Sequence, residues 1–421
     1  MARIRRRVKK RLKIIFTCSL LLIFCFVGIF YLEYDKRNSL REAKEIDQKI
    51  LVAKIKNSYN KYIKIKEGSI LYKKDNNKYV DVMKVYGDKT YTLQDIEIDK
   101  NTKYFYIEEL GFYVKYQDVL KVDDLVIKDL RYKNYLPFNE NIITKEKVNL
   151  YQNDKVIYEL SFSLDLPIIE KDNNGYYVEY NNELFLVKNE DISSTYSKEN
   201  TTLVEAFDVP VTVYHFIYLE GDNSCHESIC HSERQIRSHF SYLRDNNYFT
   251  LTTTELGKFI DGKIRIPEKS ILITIDDGSR AWNFVPLLEE YKVNATLFLI
   301  TSWYDKAQFE SSYMELASHT HGLHTPGVCS GGQGSPLKCA DRNSLVQDLK
   351  TSREILNGTK AFCFPFYEFN DYSLDVISEA GFEMGFIGGY RNATKGINKL
   401  KIPRVPLTDY TTLEQYKKII S

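Results

Sequence analysis

From about residue 210 onward, short apolar runs alternate with segments of helical spacing, and this alternation constrains the fold more than any other feature of the chain. "VPVTVYHFI", "SILITIDDG", "ATLFLI", "AFCFPF" and "MGFIGG" read as strands. "ERQIRSHFSYLRDNN", "RAWNFVPLLEEYK", "NSLVQDLKTSREILN" and "YSLDVISEAG" read as helices. Strands alternating with helices over ~200 residues imply a mainly parallel sheet with crossover helices, open or closed into a barrel. Sites in such folds lie at the carboxyl ends of strands. Asp276, Asp277, His215 and Pro365 all fall at predicted strand ends.

Asp276 and Asp277 pose the sharpest question. Adjacent like charges repel, and along a strand their side chains point to opposite faces. An Asp-Gly turn after a strand is the plain alternative to a site. The stretch "ELASHTHGLH" adds His319, His321 and His324 within six residues, in a chain with seven histidines. Exposed loop histidines are the alternative there. Taken with the carboxylate pair, two imidazoles and one carboxylate suit a divalent ion with positions left open for water and substrate. One aspartate can then ligate while its neighbour takes a proton from activated water.

These residues resemble a known family. "TIDDG" resembles the T-F-D-D-G motif of polysaccharide deacetylases, the NodB-homology or carbohydrate esterase 4 family. "SHTHGLH" is similar to their second motif, with His324 five residues after His319, where many members space the pair by four. That longer spacing is similar to the branch that de-N-acetylates poly-β-1,6-N-acetylglucosamine. "AFCFPFYEFND" resembles a groove-wall stretch, with Tyr367 replacing a usual glycine. The resemblance covers about residues 205–421 and implies a deformed (β/α) barrel. It implies Asp277, His319 and His324 as metal ligands, and Asp276 as general base. Pro365, Phe366 and Tyr367 would line the substrate groove, and Arg404 in "IPRVPL" would sit behind the base. Zinc is the expected ion, with cobalt, nickel or manganese acceptable to such ligands. The family's late catalytic histidine is missing, since no histidine follows His324. In the poly-N-acetylglucosamine branch the fold looks circularly permuted, which makes His215 in the first strand the candidate general acid. His321 has no role in that pattern.

The first half differs in texture. Eight basic residues precede "IIFTCSLLLIFCFVGIFYL", Ile14 to Leu32, which carries no charge. Crossing a bilayer takes about 20 apolar residues. The expectation is a basic cytoplasmic tail and transmembrane anchor over 1–32. It places the chain as a single-pass plasma-membrane protein, N-terminus cytoplasmic and catalytic domain extracellular. A helical stalk is expected over 33–66. Two weakly similar, Tyr- and Asn-rich segments suggest tandem all-β domains at 67–135 and 136–200. They resemble bacterial SH3-like domains, which serve either as spacers or in wall binding. The deacetylase-like domain takes 201–421.

Lys+Arg number 58 against 57 Asp+Glu, so bulk charge gives no pointer to nucleic acid. Cys329 with Cys339, and Cys225 with Cys230, read as disulfide candidates, and "CHESICH" alternatively as a metal site. The function expected is metal-dependent de-N-acetylation of N-acetylglucosamine units in a cell-surface glycan, either peptidoglycan or a poly-N-acetylglucosamine-like polymer. Two alternatives stand beside it: an O-acetyl esterase of wall glycans, and an inactive wall-binding protein.

Overall fold

A computed structural model describes residues 2–58, 62–87, 89–99, 102–122, 130–198, 204–222 and 224–421. The chain divides into two compact units, Met1–Lys128 with Lys147–Phe162, and Asp129–Glu146 with Ser163–Ser421.

The first unit opens with one helix, Ala2–Ser58, and the strands described after it are antiparallel. Its hairpins turn on Asn and Asp residues that accept positive φ: Asn76 and Asn77 join Ile70–Asp75 to Lys78–Val85, and Asn153 and Asp154 join Val148–Gln152 to Lys155–Leu160. The expected membrane anchor is corrected here. Among the described residues no helix is long and apolar enough to cross a membrane. The apolar run lies inside one 57-residue helix that is charged before and after it. The single-pass, membrane-anchored placement built on that run falls with it. The helix also ends by Ser58, and Tyr62–Ile65 is already strand.

The second unit begins with further antiparallel strands, among them Gly175–Tyr180 and Glu183–Lys188, joined at Asn181 and Asn182. An all-β region therefore precedes the α/β part. Seven parallel strands follow: β1 (Val211–Tyr214), β2 (Ser270–Asp277), β3 (Ala295–Leu299), β4 (Met314–Ser318), β5 (Ala361–Cys363), β6 (Met384–Gly388) and β7 (Ile402–Pro406). Successive strands from β2 to β6 pair in order, and β6 pairs with β7. β1 then pairs with β7 through Thr212↔Val405 and with β2 through Tyr214↔Ile275. The sheet thus closes on itself, which removes its edges.

The strands are apolar on both faces, as a parallel sheet between layers requires. In β2, Ile271, Ile273 and Ile275 pack with Ile236, Phe240 and Leu243 of helix α1 (Glu233–Asp245) and with Leu287 and Leu288 of helix α2 (Val285–Tyr291). Leu272 joins a second cluster with Phe298, Ala317, Cys363 and Phe386 from neighbouring strands. The two-residue period of the pleat sends Thr274 and Asp276 the same way as Leu272, toward that second cluster.

Candidate metal and acid–base centre

Continued pleating would part Asp276 from Asp277, but the chain turns at that point. Asp277 takes a φ of 74° and Gly278 one of 111°, and the Gly278 N–H donates to the Asp276 carbonyl at 3.0 Å. A side chain at position 278 would have no room, since a Cβ there would lie 2.6 Å from Leu299 Cδ1. The turn and the site are therefore one feature. Left-handed φ at a non-glycine residue costs on the order of 1–3 kcal/mol and clusters at functional sites. Thr320 (77°), Phe366 (59°) and Tyr367 (59°) share it, just past the ends of β4 and β5.

Asp276 is 2% exposed. Its Oδ1 and Oδ2 accept from Arg404 Nη1 and Nη2 at 2.7 and 2.8 Å, a bidentate pair. Arg404 is wholly buried, donates to Thr274 Oγ1 at 3.1 Å and packs against the Phe298 and Tyr367 rings. Burial alone would raise the Asp276 pKa, but the Arg404 charge and its hydrogen bonds outweigh that and hold the carboxyl below the usual range. Asp276 is thus ionised inside the barrel. Arg404 comes from β7, which sequence patterning does not read as a strand because Pro403 and Pro406 flank it.

Asp277 Oδ1 lies 3.3 Å from His319 Nε2 and 3.4 Å from His324 Nε2. These three residues form one of two groups, among the described residues, that could hold a metal ion. His319 Nδ1 is 2.9 Å from the Cys363 carbonyl, a contact that requires the proton on Nδ1 and turns Nε2 toward Asp277. Two carboxylates against one guanidinium leave an unmatched negative charge, so the donor set fits a dication. The other group, Asp276, His319 and Cys363, fits poorly. Arg404 already occupies both oxygens of Asp276, and its Nη2 lies 2.8 Å from the Cys363 sulfur.

His215 follows β1, beside the strand carrying both aspartates. Its Nε2 is 4.0 Å from Asp276 Oδ2, and its buried Nδ1 has no hydrogen-bond partner among the described residues. Burial lowers its pKa, while the charges of Asp276 and Asp277 pull the other way. His321 lies outside both groups. Its Nδ1 meets Thr301 Oγ1 at 3.0 Å. Pro365, Phe366 and Tyr367 form a kinked turn after β5, broken by the left-handed backbone at Phe366 and Tyr367, with the Phe366 ring 4.5 Å from that of His324.

Cys329–Cys339 and Cys225–Cys230 are disulfides. The second bond removes the thiolates that a metal site in "CHESICH" would need. His231 is instead buried against Tyr214 and Gln235. Sequence reading missed two supports. Cys363 holds His319 through its carbonyl. Asp348, on helix α3 (Arg342–Ile355), accepts the backbone N–H groups of His321 and Gly322 at 2.9 and 2.8 Å. An Asp on a helix carries no such signal, because its partners are main-chain groups far away in sequence.

Comparison with known proteins finds similarity to one family. Residues 263–385 match the family model described as polysaccharide deacetylase. The poly-β-1,6-N-acetyl-D-glucosamine N-deacetylase of Staphylococcus aureus (strain MSSA476) is 27% identical over 216 residues, covering 46% of this chain and 73% of the relative. A protein of that description from Staphylococcus epidermidis is 24% identical over 196 residues, covering 41% and 66%. Among solved structures, a de-N-acetylase from Aggregatibacter actinomycetemcomitans aligns with a TM-score of 0.44 and 21% identity, over 50% of this chain and 99% of that one. The chain thus carries a polysaccharide deacetylase domain and is an enzyme of that kind. None of these descriptions names an SH3-like domain.

Proposed function

We propose that the domain removes acetyl groups from N-acetylglucosamine units of a poly-β-1,6-linked surface polysaccharide. In this reading Asp277, His319 and His324 hold a divalent ion, zinc first among the candidates. Such an ion, when bound, supplies Lewis acidity to the acetyl carbonyl and to water. Asp276, held ionised by Arg404, takes the proton of the attacking water at Oδ2, the oxygen nearer His215. His215 Nε2 then gives a proton to the departing sugar nitrogen. Loading that proton works against burial and is favoured by the two aspartate charges. Phe366 and Tyr367 wall the groove beside His324. The products are acetate and a glucosamine unit, which is cationic at neutral pH.

One observation carries this reading: a buried carboxylate paired with Arg404 stands next in sequence to a carboxylate that meets two imidazoles. The linkage is taken from the staphylococcal relatives. The experiment is acetate release from a β-1,6-linked N-acetylglucosamine oligomer, before chelation, after it, and after zinc is restored. Release that is lost and then regained is expected. His319→Ala should lose most of the bound metal and His321→Ala much less. Acetate release that survives complete chelation would end the metal assignment.

A further inference from the structure

The roles above use His324 and Phe366 but not Trp303, which also lies against His324. Trp303 lies 5.6 Å from His324, centroid to centroid, with the planes at 70°. It is 54% exposed. The chain has only two tryptophans, and an indole left half in solvent forgoes a large apolar burial. The loop that carries it is firmly held. Thr301 and Ser302 N–H groups donate to the Thr320 and His321 carbonyls at 3.3 and 3.0 Å, and the Trp303 N–H donates to the Ile300 carbonyl at 3.0 Å. The backbone of 300–303 is thus laced to the segment between the candidate ligands His319 and His324. The backbone that carries the indole is therefore ordered before any ligand arrives, which lowers the ordering cost of binding. His324 has aromatic contacts to two partly exposed rings, Trp303 and Phe366.

We infer that Trp303 forms a stacking subsite for a pyranose ring of the glycan, beside the residue that reacts. A pyranose presents C–H groups on its faces, and these carry slight positive charge toward the electron-rich indole face. Flat, rigid and half-exposed, Trp303 suits a sugar ring and offers no charged group to bind an ionic ligand. This inference rests on the proposed glycan reaction for its ligand class.

The full chain carrying Trp282→Phe leaves Trp303 as its one indole reporter. Titration with a β-1,6-linked N-acetylglucosamine pentamer should change its emission saturably. Trp303→Ala should raise KM for the pentamer about tenfold and keep kcat within about threefold, and Trp303→Phe should restore most of the affinity. The subsite is wrong if emission stays constant while acetate is released, if Trp303→Ala keeps the parent KM, or if it lowers kcat alone. Should Trp303→Ala fail to fold, the emission titration and Trp303→Phe still decide. Saturable emission without acetate release would overturn the proposed reaction and leave the subsite standing. Acetate release at the parent KM from Trp303→Ala would do the reverse.

Discussion

At the scale of single residues, two neighbouring carboxylates stand in different surroundings. Asp276 is paired through both oxygens with Arg404, whereas Asp277 faces imidazoles. Asp276→Asn is therefore expected to retain its metal and to lose about 10²–10⁴-fold in rate, the usual scale for general acid–base work. Metal analysis beside acetate release checks this, and a metal-free Asp276→Asn protein would make both aspartates ligands. The residue types of this centre were legible in sequence: "TIDDG" and "SHTHGLH" state their chemistry openly. Their convergence was implied by the family resemblance, but the turn at Asp277 that accompanies it shows in the sequence only as a following glycine. The Cys363 carbonyl that orients His319 was also hidden, since a main-chain acceptor leaves no mark in side-chain chemistry.

At the scale of elements, helices brace the strand ends. Asp348 clasps two N–H groups of the loop between His319 and His324. Asp348→Ala should weaken zinc affinity of the full chain by about 10–100-fold, read by competition with a chelator, as expected for a group that supports a ligand. Unchanged affinity would make the clasp irrelevant to the centre. Helix α1 raises a different matter. Its His239 is buried, with Nδ1 2.9 Å from the Tyr214 hydroxyl and its ring stacked on Tyr416 at 4.1 Å, and His231 lies nearby against Tyr214. Burial pushes both histidines down to about 4. Folded, they stay neutral below pH 6.5, while the unfolded chain takes up protons there. Their contribution is fully present above pH 6.5 and is lost as pH falls toward 4, up to roughly 3 kcal/mol each. The melting temperature should drop across that window, and His239→Gln should flatten the slope. An unaltered slope would remove His239 from the account. Most helices and strands could be read from their periodicity. β4 and β7 escaped, β7 because its prolines mimic a loop, and β1 ends at Tyr214, just before His215.

At the scale of the whole molecule, closure of the barrel joins parts distant in sequence. The segment matched by the family model, 263–385, contains neither β1 nor β7, and so neither His215 nor Arg404. Expressed alone, 263–385 should show no cooperative thermal transition and no tight zinc binding, while the full chain shows both. A cooperative melt of that fragment would mean that closure is dispensable. The fold class was legible from the alternation of strands and helices, but open sheet and closed barrel were not separable, because closure is a pairing between first and last strands. That pairing also has a meaning in time. Asp276 and Arg404 are 128 residues apart, so a growing polypeptide carries its aspartate long before the arginine exists. Until β7 is made, β1 has a bare hydrogen-bonding edge and the carboxylate has no counter-charge. Closure of the barrel and the pairing of Asp276 with Arg404 therefore wait on the last strand to be synthesised.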